Sequence, residues 1–405
     1  MKAALKSITL KGNSHLSLSG YYHRQENNTG VYDDIQINLC LIENNNQQTL
    51  LVSMDSIGID SKTTKEIKQR LFKACSIKES SVFLYATHTH SSYKAMRQQS
   101  TPLLNVILND QKHNEHEKLF HQTMIDSIVK ATQQCQQHLE TVEFSYSKSK
   151  VESVATNRNN KEQAIDNRLD VIKIKNYKQI VGCICVFACH PTILDSTNLK
   201  VSSDYVGSIR KAINQVYPNC TTLFLQGCAA EVSTRYTRKE SSYQECQRIG
   251  GIIGKEVVNC LKQETQISSK LTTKVLPIQF QVRDFKERVV SKMVSPTNRK
   301  QEVIQQGQMF QDLFLESKTS ETIDSEVSLI DFGYFRICNL PGEPDGKLGS
   351  DIQKTMGENT IVCGYCNDYV GYLVSQEGLQ QTYEKQMMLF TANTHELIVG
   401  TFKLG

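Results

Sequence analysis

The sequence predicts an α/β fold, with a mixed central β-sheet or sheets flanked by helices. Short β-type runs alternate with helical stripes through most of the chain, and hairpin and βαβ spacings occur side by side. No period of 20 to 50 residues repeats. Only 7 prolines and no Gly/Ser-rich linker interrupt the 405 residues, so one unit spanning 1–405 is expected.

Residues 35–42 and 49–55 are β-rich with Asn44-Asn45-Asn46 between them, the signature of a hairpin. A helical pattern over 63–75 and a strand over 81–86 follow. From 117 to 139, Phe120, Met124 and Ile128 recur at steps of four, flanked by Ile125 and Val129, which makes one apolar stripe on a long helix. Strands are predicted at 169–174 and 179–188. A helix over 204–216 follows the Ser202-Ser203-Asp204 cap, then a strand at 221–225 and a helix at 244–261. Strands at 327–332, 334–340 and 360–363 complete the pattern, with Pro341-Gly342 ending the second of them. The polar, partly helical stretch 285–320 is expected to be a surface excursion.

Composition narrows the function. Hydrophobic residues are 39% and charged residues 22%, values of an ordinary globular chain. A net charge of +4 without a dense basic block, and no tryptophan, argue against a nucleic-acid partner. The longest apolar stretch, 180–189, contains Gly182 and falls far short of the roughly 20 residues a membrane span needs. Lys2, Lys6 and Lys11 leave no continuous apolar run at the N-terminus, so no signal peptide is expected. Thirteen scattered cysteines read as free thiols in a reducing compartment, which predicts a cytoplasmic location.

The chemistry-bearing residues gather where strands end. Thr87-His88-Thr89-His90-Ser91 follows the strand at 81–86. Histidines at i and i+2 of an extended segment point the same way. Such a pair binds zinc through one or both rings, binds with one and moves protons with the other, or is an ordinary surface turn. Phe187-Ala188-Cys189-His190-Pro191-Thr192 closes the most apolar strand. A lone histidine there is more often a core residue than a ligand. Cys183, Cys185 and Cys189 share one face by period-two counting and His190 falls on the other, so a Cys₃His site is geometrically poor and core thiols are expected. Cys363-Gly364-Tyr365-Cys366 is a lone CxxC, a weak metal or redox signal. Three further strand ends carry Glu231 with Ser233, Glu343, and Tyr369 with Tyr372.

In order and wording these junctions resemble the catalytic domain of the neutral (non-lysosomal) ceramidases, zinc amidases that hydrolyse N-acyl-sphingosine. The resemblance begins at Ser19-Gly20-Tyr21 and Met54-Asp55-Ser56-Ile57-Gly58. It continues through 86–91, Asn157-Arg158, 187–192 with Ser203-Asp204, and 225–233. It ends with 340–343, 367–372 and Tyr383-Glu384, and so runs from about residue 18 to 385. The family continues its first histidine string with Ser-Gly-Pro, where this chain has Ser91-Ser92-Tyr93. Its Gly-Asp-Val-(Ser/Asn)-Pro turn is here Ala230-Glu231-Val232-Ser233-Thr234, and Tyr383 follows Tyr372 one residue sooner than the family pattern expects.

The resemblance implies a neutral-ceramidase-like catalytic fold without the family's C-terminal immunoglobulin-like domain. It implies zinc (Zn2+) held by His88, His190, Glu343 and Tyr372, with His90 as the acid/base residue and Arg158 and Tyr383 contacting the substrate or its developing oxyanion. Ser233 matches a serine considered as a nucleophile in relatives, a role that a metal-activated water makes unnecessary. The expected activity is hydrolysis of the amide bond of an N-acylated lipid or small molecule by that water. The competing expectations are a zinc hydrolase of another acyl bond, an ester or small polar amide, and a catalytically inactive homologue that binds metal or ligand.

Overall fold

A computed structural model describes residues 1–24, 26–98, 113–263, 265–268, 270–284, 309, 322–375 and 382–404. The predicted surface excursion at 285–320 lies outside the described residues, apart from Met309.

Two five-stranded sheets stack face to face. The first has the order Val82–Ala86, Gln47–Met54, Ile35–Asn44, Lys2–Leu10 and Glu140–Thr141. The second has the order Thr221–Gln226, Ile180–Phe187, Arg168–Lys175, Glu143–Lys150 and Ile267–Ser268. Period-two alternation explains the stacking. Cys40, Ile42, Leu51 and Phe83 of the first sheet meet Phe144, Ile172, Ile184 and Leu223 of the second in one core. Alternate residues of the first sheet, Leu39, Leu41, Val52 and Leu84, face the other way onto the helices Ser61–Cys75 and Glu115–Gln137. Val171, Cys183, Cys185 and Phe224 of the second sheet pack on the helices Tyr205–Val216 and Tyr243–Leu261. The result is a four-layer α-β-β-α arrangement. Strands buried on both faces read as nearly unbroken apolar runs, which is why 180–187 is the most apolar stretch. A four-stranded sheet, Thr272–Gln281, Thr322–Asp331, Arg336–Asn339 and Thr360–Cys363, joins this core through Ile330, Ile337 and Ile361.

Most predicted elements stand within a few residues of their expected bounds. The hairpin turns at Asn45 and Asn46, both left-handed with φ of 50° and 61°, as a two-residue turn with the strands' twist requires. The long helix carries a complete capping box between Asn114 and Glu117 and buries Met124, Ile125, Ile128 and Val129. All thirteen cysteines are free and buried, including Cys183, Cys185 and Cys189, in accord with the core reading of the thiols.

The helices Tyr205–Val216 and Tyr243–Leu261 approach closely at Gly250, where an added Cβ would lie 2.3 Å from the Tyr205 carbonyl oxygen and 2.5 Å from Ser208 Cβ. The next residue, Gly251, faces open space. Gly250→Ala is therefore expected to destabilise by about 1–3 kcal/mol through overpacking. Gly251→Ala is expected to stabilise by roughly 0.5–1 kcal/mol, since alanine loses less backbone entropy in a helix. Denaturant titration of the two variants checks the opposite signs, and equal effects would refute the close approach.

Three parallel pairings set up the site. Val82–Ala86 runs parallel to Gln47–Met54, Ile180–Phe187 to Thr221–Gln226, and Arg336–Asn339 to Thr360–Cys363. Their C-terminal ends are stitched together by Ala86 N donating to the Tyr365 carbonyl, Gly227 N to that of Phe187, and Gly364 N to that of Gln226. The segments leaving these ends carry the histidines, the glutamate and the tyrosines, the place where open α/β sheets gather ligand-binding groups.

Candidate metal centre

His88, His90 and His190 converge, each offering a ring nitrogen within 4.8 Å of the others. Backbone carbonyls aim the rings. His88 Nδ1 meets the Ile57 oxygen at 2.7 Å, His90 Nδ1 that of Gly20 at 2.9 Å, and His190 Nδ1 that of Ala229 at 2.7 Å. A carbonyl only accepts, so each Nδ1 carries the proton and each Nε2 is turned inward. The expected extended path of His88 is not what forms. His88 takes a left-handed φ of 69°, held by its N–H on the Ser56 oxygen and by its ring on Ile57. A non-glycine residue in that region costs on the order of 1–3 kcal/mol and persists where its surroundings fix it.

Glu343 joins the imidazoles. Its Oε2 lies 3.2 Å from His190 Nε2 and 3.6 Å from His88 Nε2. Tyr369 donates to its Oε1, and Tyr365, whose ring lies against His88 at 4.4 Å between centroids, donates to Oε2 at 3.4 Å. Burial pushes His88 down to about 4 and His90 well below its ordinary value. Burial alone would raise Glu343, but His88, His190 and the Tyr369 hydroxyl outweigh it and hold the carboxyl well below the usual carboxylate range. Glu343 is therefore ionised beside neutral His88 and His90.

The arrangement fits a bound cation. Nε2 of His88 and His90 are 3.3 Å apart with both Nδ1 protons committed to carbonyls, and Nε2 of His88 and of His190 faces a carboxylate oxygen. Between His88 and His90, and between His88 and Glu343, lone pairs thus oppose one another with no proton between them, and a divalent ion resolves that repulsion. Imidazole nitrogen with carboxylate oxygen is a donor set suited to zinc, and carbonyl-anchored Nδ1 atoms are the usual outer support of ligating histidines.

The other predicted residues form an adjoining cluster. Arg158 follows the short strand Thr156–Asn157, and its Nη2 donates to the Tyr372 hydroxyl at 3.0 Å. The Tyr372 and Tyr383 rings stand at 82° with centroids 6.0 Å apart, and the guanidinium carbon is 5.9 Å from each. Tyr372 is the register partner of Glu343 in a two-strand parallel pair, which ties this cluster to the imidazoles. Among the described residues its hydroxyl bonds Arg158 and no imidazole. Burial, then Glu343, pushes the Tyr372 phenol well up, with Arg158 opposing. Ser233 is buried beside His190 through a parallel bridge, and its Oγ accepts from Arg235 N at 3.3 Å. Glu231 turns away to accept from Gly346 N at 3.0 Å, and burial and Asp345 raise it to about 8.

Sequence reasoning named these residues within motifs but gave no supporting role to Tyr365 and Tyr369 on Glu343, Glu384 on Arg158, or Gly20 under His90. Gly20 has φ of 104°, and a Cβ there would lie 2.7 Å from His90 Cγ and 2.8 Å from its Cα. Gly20→Ala must displace the His90 ring. On the acid/base role that the resemblance implies for His90, it is expected to lower hydrolysis by about 10²-fold with metal content unchanged, as a misplaced catalytic group does. Full activity of Gly20→Ala would remove the carbonyl anchor from the account.

The fold has close counterparts among solved structures. A ceramidase complexed with C2 superposes with a TM-score of 0.78 at 15% identity, over 99% of this chain and 74% of the other. The neutral ceramidase from Pseudomonas aeruginosa superposes with a TM-score of 0.76 at 16% identity, again over 99% and 74%. No curated relative matches by sequence. The sequence model of neutral/alkaline non-lysosomal ceramidase, N-terminal, matches residues 11–226, more than half of the chain. By that match the chain belongs to the neutral/alkaline non-lysosomal ceramidase family.

Proposed function

We propose that the chain is a zinc-dependent hydrolase of the amide bond of an N-acylated lipid or small molecule. Family membership supports amide hydrolysis, and the observation that carries the metal is the convergence of three carbonyl-anchored imidazoles on an ionised Glu343, with no proton between His88 and His90 or between His88 and Glu343. His88, His190, Glu343 and Tyr372 are the proposed holders of the ion. When bound, such an ion lowers the pKa of a water and polarises an acyl carbonyl. His90 is left as proton carrier: its Nδ1 is fixed on Gly20, so Nε2 takes a proton from the attacking water and gives it to the leaving amine. Arg158 and Tyr383 donate to the oxyanion, a contribution of roughly 2.7–4 kcal/mol per donor at comparable sites. The cytoplasm is the proposed compartment, on the support of thirteen free, buried thiols. Among the described residues no helix is long and apolar enough to cross a membrane.

The test is a panel of N-acyl substrates and matched esters, varied in acyl length and leaving group, with and without a chelator. Chelator-sensitive release of the amine from N-acyl amides is expected. Turnover of esters or short polar amides alone would replace the lipid-amide assignment, and metal bound without any turnover would make the chain a binding protein.

A further inference from the structure

We propose that Glu384 is a positioning residue that holds the Arg158 guanidinium against Tyr372, an inference that rests on the amide-hydrolase reading of this site. Glu384 is one of the most enclosed acids of the molecule, with 2% of its side chain exposed beside an Arg158 that is 12% exposed. Arg158 Nε donates to its Oε1 at 2.6 Å, and Asn159 Nδ2 donates to its Oε2 at 2.8 Å. Both carboxylate oxygens are thus taken by neighbouring residues of one segment, which leaves Glu384 little freedom of its own.

The consequences pass to the guanidinium. With Nε fixed on Glu384 and Nη2 on the Tyr372 hydroxyl, the plane of the group is set by two bonds at different corners. The Arg158 backbone is fixed as well, its N–H on the Glu231 oxygen at 2.7 Å and its carbonyl accepting from Arg235 Nη1 at 3.0 Å. Arg158 Nη1 has no hydrogen-bond partner among the described residues, so a guanidinium held at Nε and Nη2 keeps a fixed donor available to a developing oxyanion. Glu384 also adjoins Tyr383 at the start of the helix Tyr383–Met387, so one short helix places both the phenol and the carboxylate that orients the arginine. A charged acceptor suits this role because a charge-assisted bond to arginine is shorter and stronger than a neutral one.

The test is a cycle of four full-length proteins: wild type, Glu384→Gln, Arg158→Ala and the double variant, each assayed for zinc content, kcat and KM on the substrate the panel identifies. Glu384→Gln is expected to lower kcat by about 10- to 100-fold, with zinc and KM within about twofold of wild type. In the Arg158→Ala background the same change is expected to alter kcat by less than about twofold, because a residue acting through another is silent once that other is gone. An unchanged kcat in Glu384→Gln, or an undiminished loss in the Arg158→Ala background, overturns the proposal. If Glu384→Gln does not fold, Glu384→Asp enters the cycle in its place with the same criteria. If the wild type cleaves no N-acyl substrate, the functional reading fails separately, and the arginine Nε–H resonance that Arg158→Ala removes decides the matter. Its loss in Glu384→Gln supports positioning, and its persistence unshifted overturns it.

Discussion

His190→Ala is expected to lose both the metal and amide hydrolysis, whereas His90→Ala is expected to keep the metal and still lose about 10²–10⁴ in kcat. The two rings belong to one group of nitrogens, so proximity does not separate their roles. Their surroundings do. His190 Nε2 lies 3.2 Å from Glu343 Oε2, is 1% exposed, and hangs from a strand end pinned by the Ala229 oxygen and the Val232 carbonyl. His90 is the partly exposed member, with its ring 5.0 Å from Tyr21. A proton carrier needs access to substrate, and a structural ligand does not. Elemental mass spectrometry with steady-state kinetics on the two variants checks the split. Loss of metal in both would make His90 a ligand, and full activity of His190→Ala would remove it from the centre.

The second large effect is on stability. Asp55→Ala is expected to cost about 3–5 kcal/mol, the range for breaking a buried ion pair by removing one partner. Asp55 is 0% exposed and receives Arg210 at both oxygens, Nη1 at 3.0 Å and Nη2 at 2.5 Å. It also accepts from Gln36 N at 2.8 Å and Thr87 Oγ1 at 3.2 Å, while its carbonyl accepts from Ser92 Oγ at 2.6 Å. Truncation leaves a guanidinium that is 5% exposed without its anion and unties the residue before His88. With an unfolding entropy of roughly 2.1 cal/mol/K per residue, the loss lowers Tm by about 5 °C. Asp55→Leu combined with Arg210→Met is expected to recover much of it, since paired apolar replacement removes both desolvation costs. A Tm for Asp55→Ala within about 1 °C of wild type would show that the pair contributes nothing net.

Much of this was legible in the residues. The strands at 82–86 and 180–187 were visible as apolar runs, and the histidines stood out because they follow such runs at a turn. The first strand was not visible. Lys2 and Lys6 interrupt it, yet Lys2–Leu10 lies between Ile35–Asn44 and Glu140–Thr141 with Ala3 and Leu10 buried and the lysines outward. Half-polar strands of this kind carry a weak alternation that the eye assigns to a terminus. Thr272–Gln281 was missed for the same reason, with most of its residues at least partly exposed.

At the site, the residues that bear chemistry were nameable and those that aim them were not. Gly20 and Ala229 act through backbone oxygens, which leave no trace in side-chain chemistry. Tyr365 sat inside a lone CxxC, where the cysteines drew attention although both are buried thiols and the tyrosine is what touches His88. Glu384 stands in the named Tyr383-Glu384 pair, but its partner Arg158 is 226 positions away in sequence, a pairing that no spacing rule connects.

The central claim is that the imidazole cluster holds a metal, and the most direct measurement is elemental mass spectrometry of the purified, untagged chain. About one zinc per chain, removed by chelation and restored on adding zinc, is the expected result for a site of this donor set. No zinc retained after the ion is supplied and the excess removed would contradict it, and the convergence of His88, His190 and Glu343 would then need another cause.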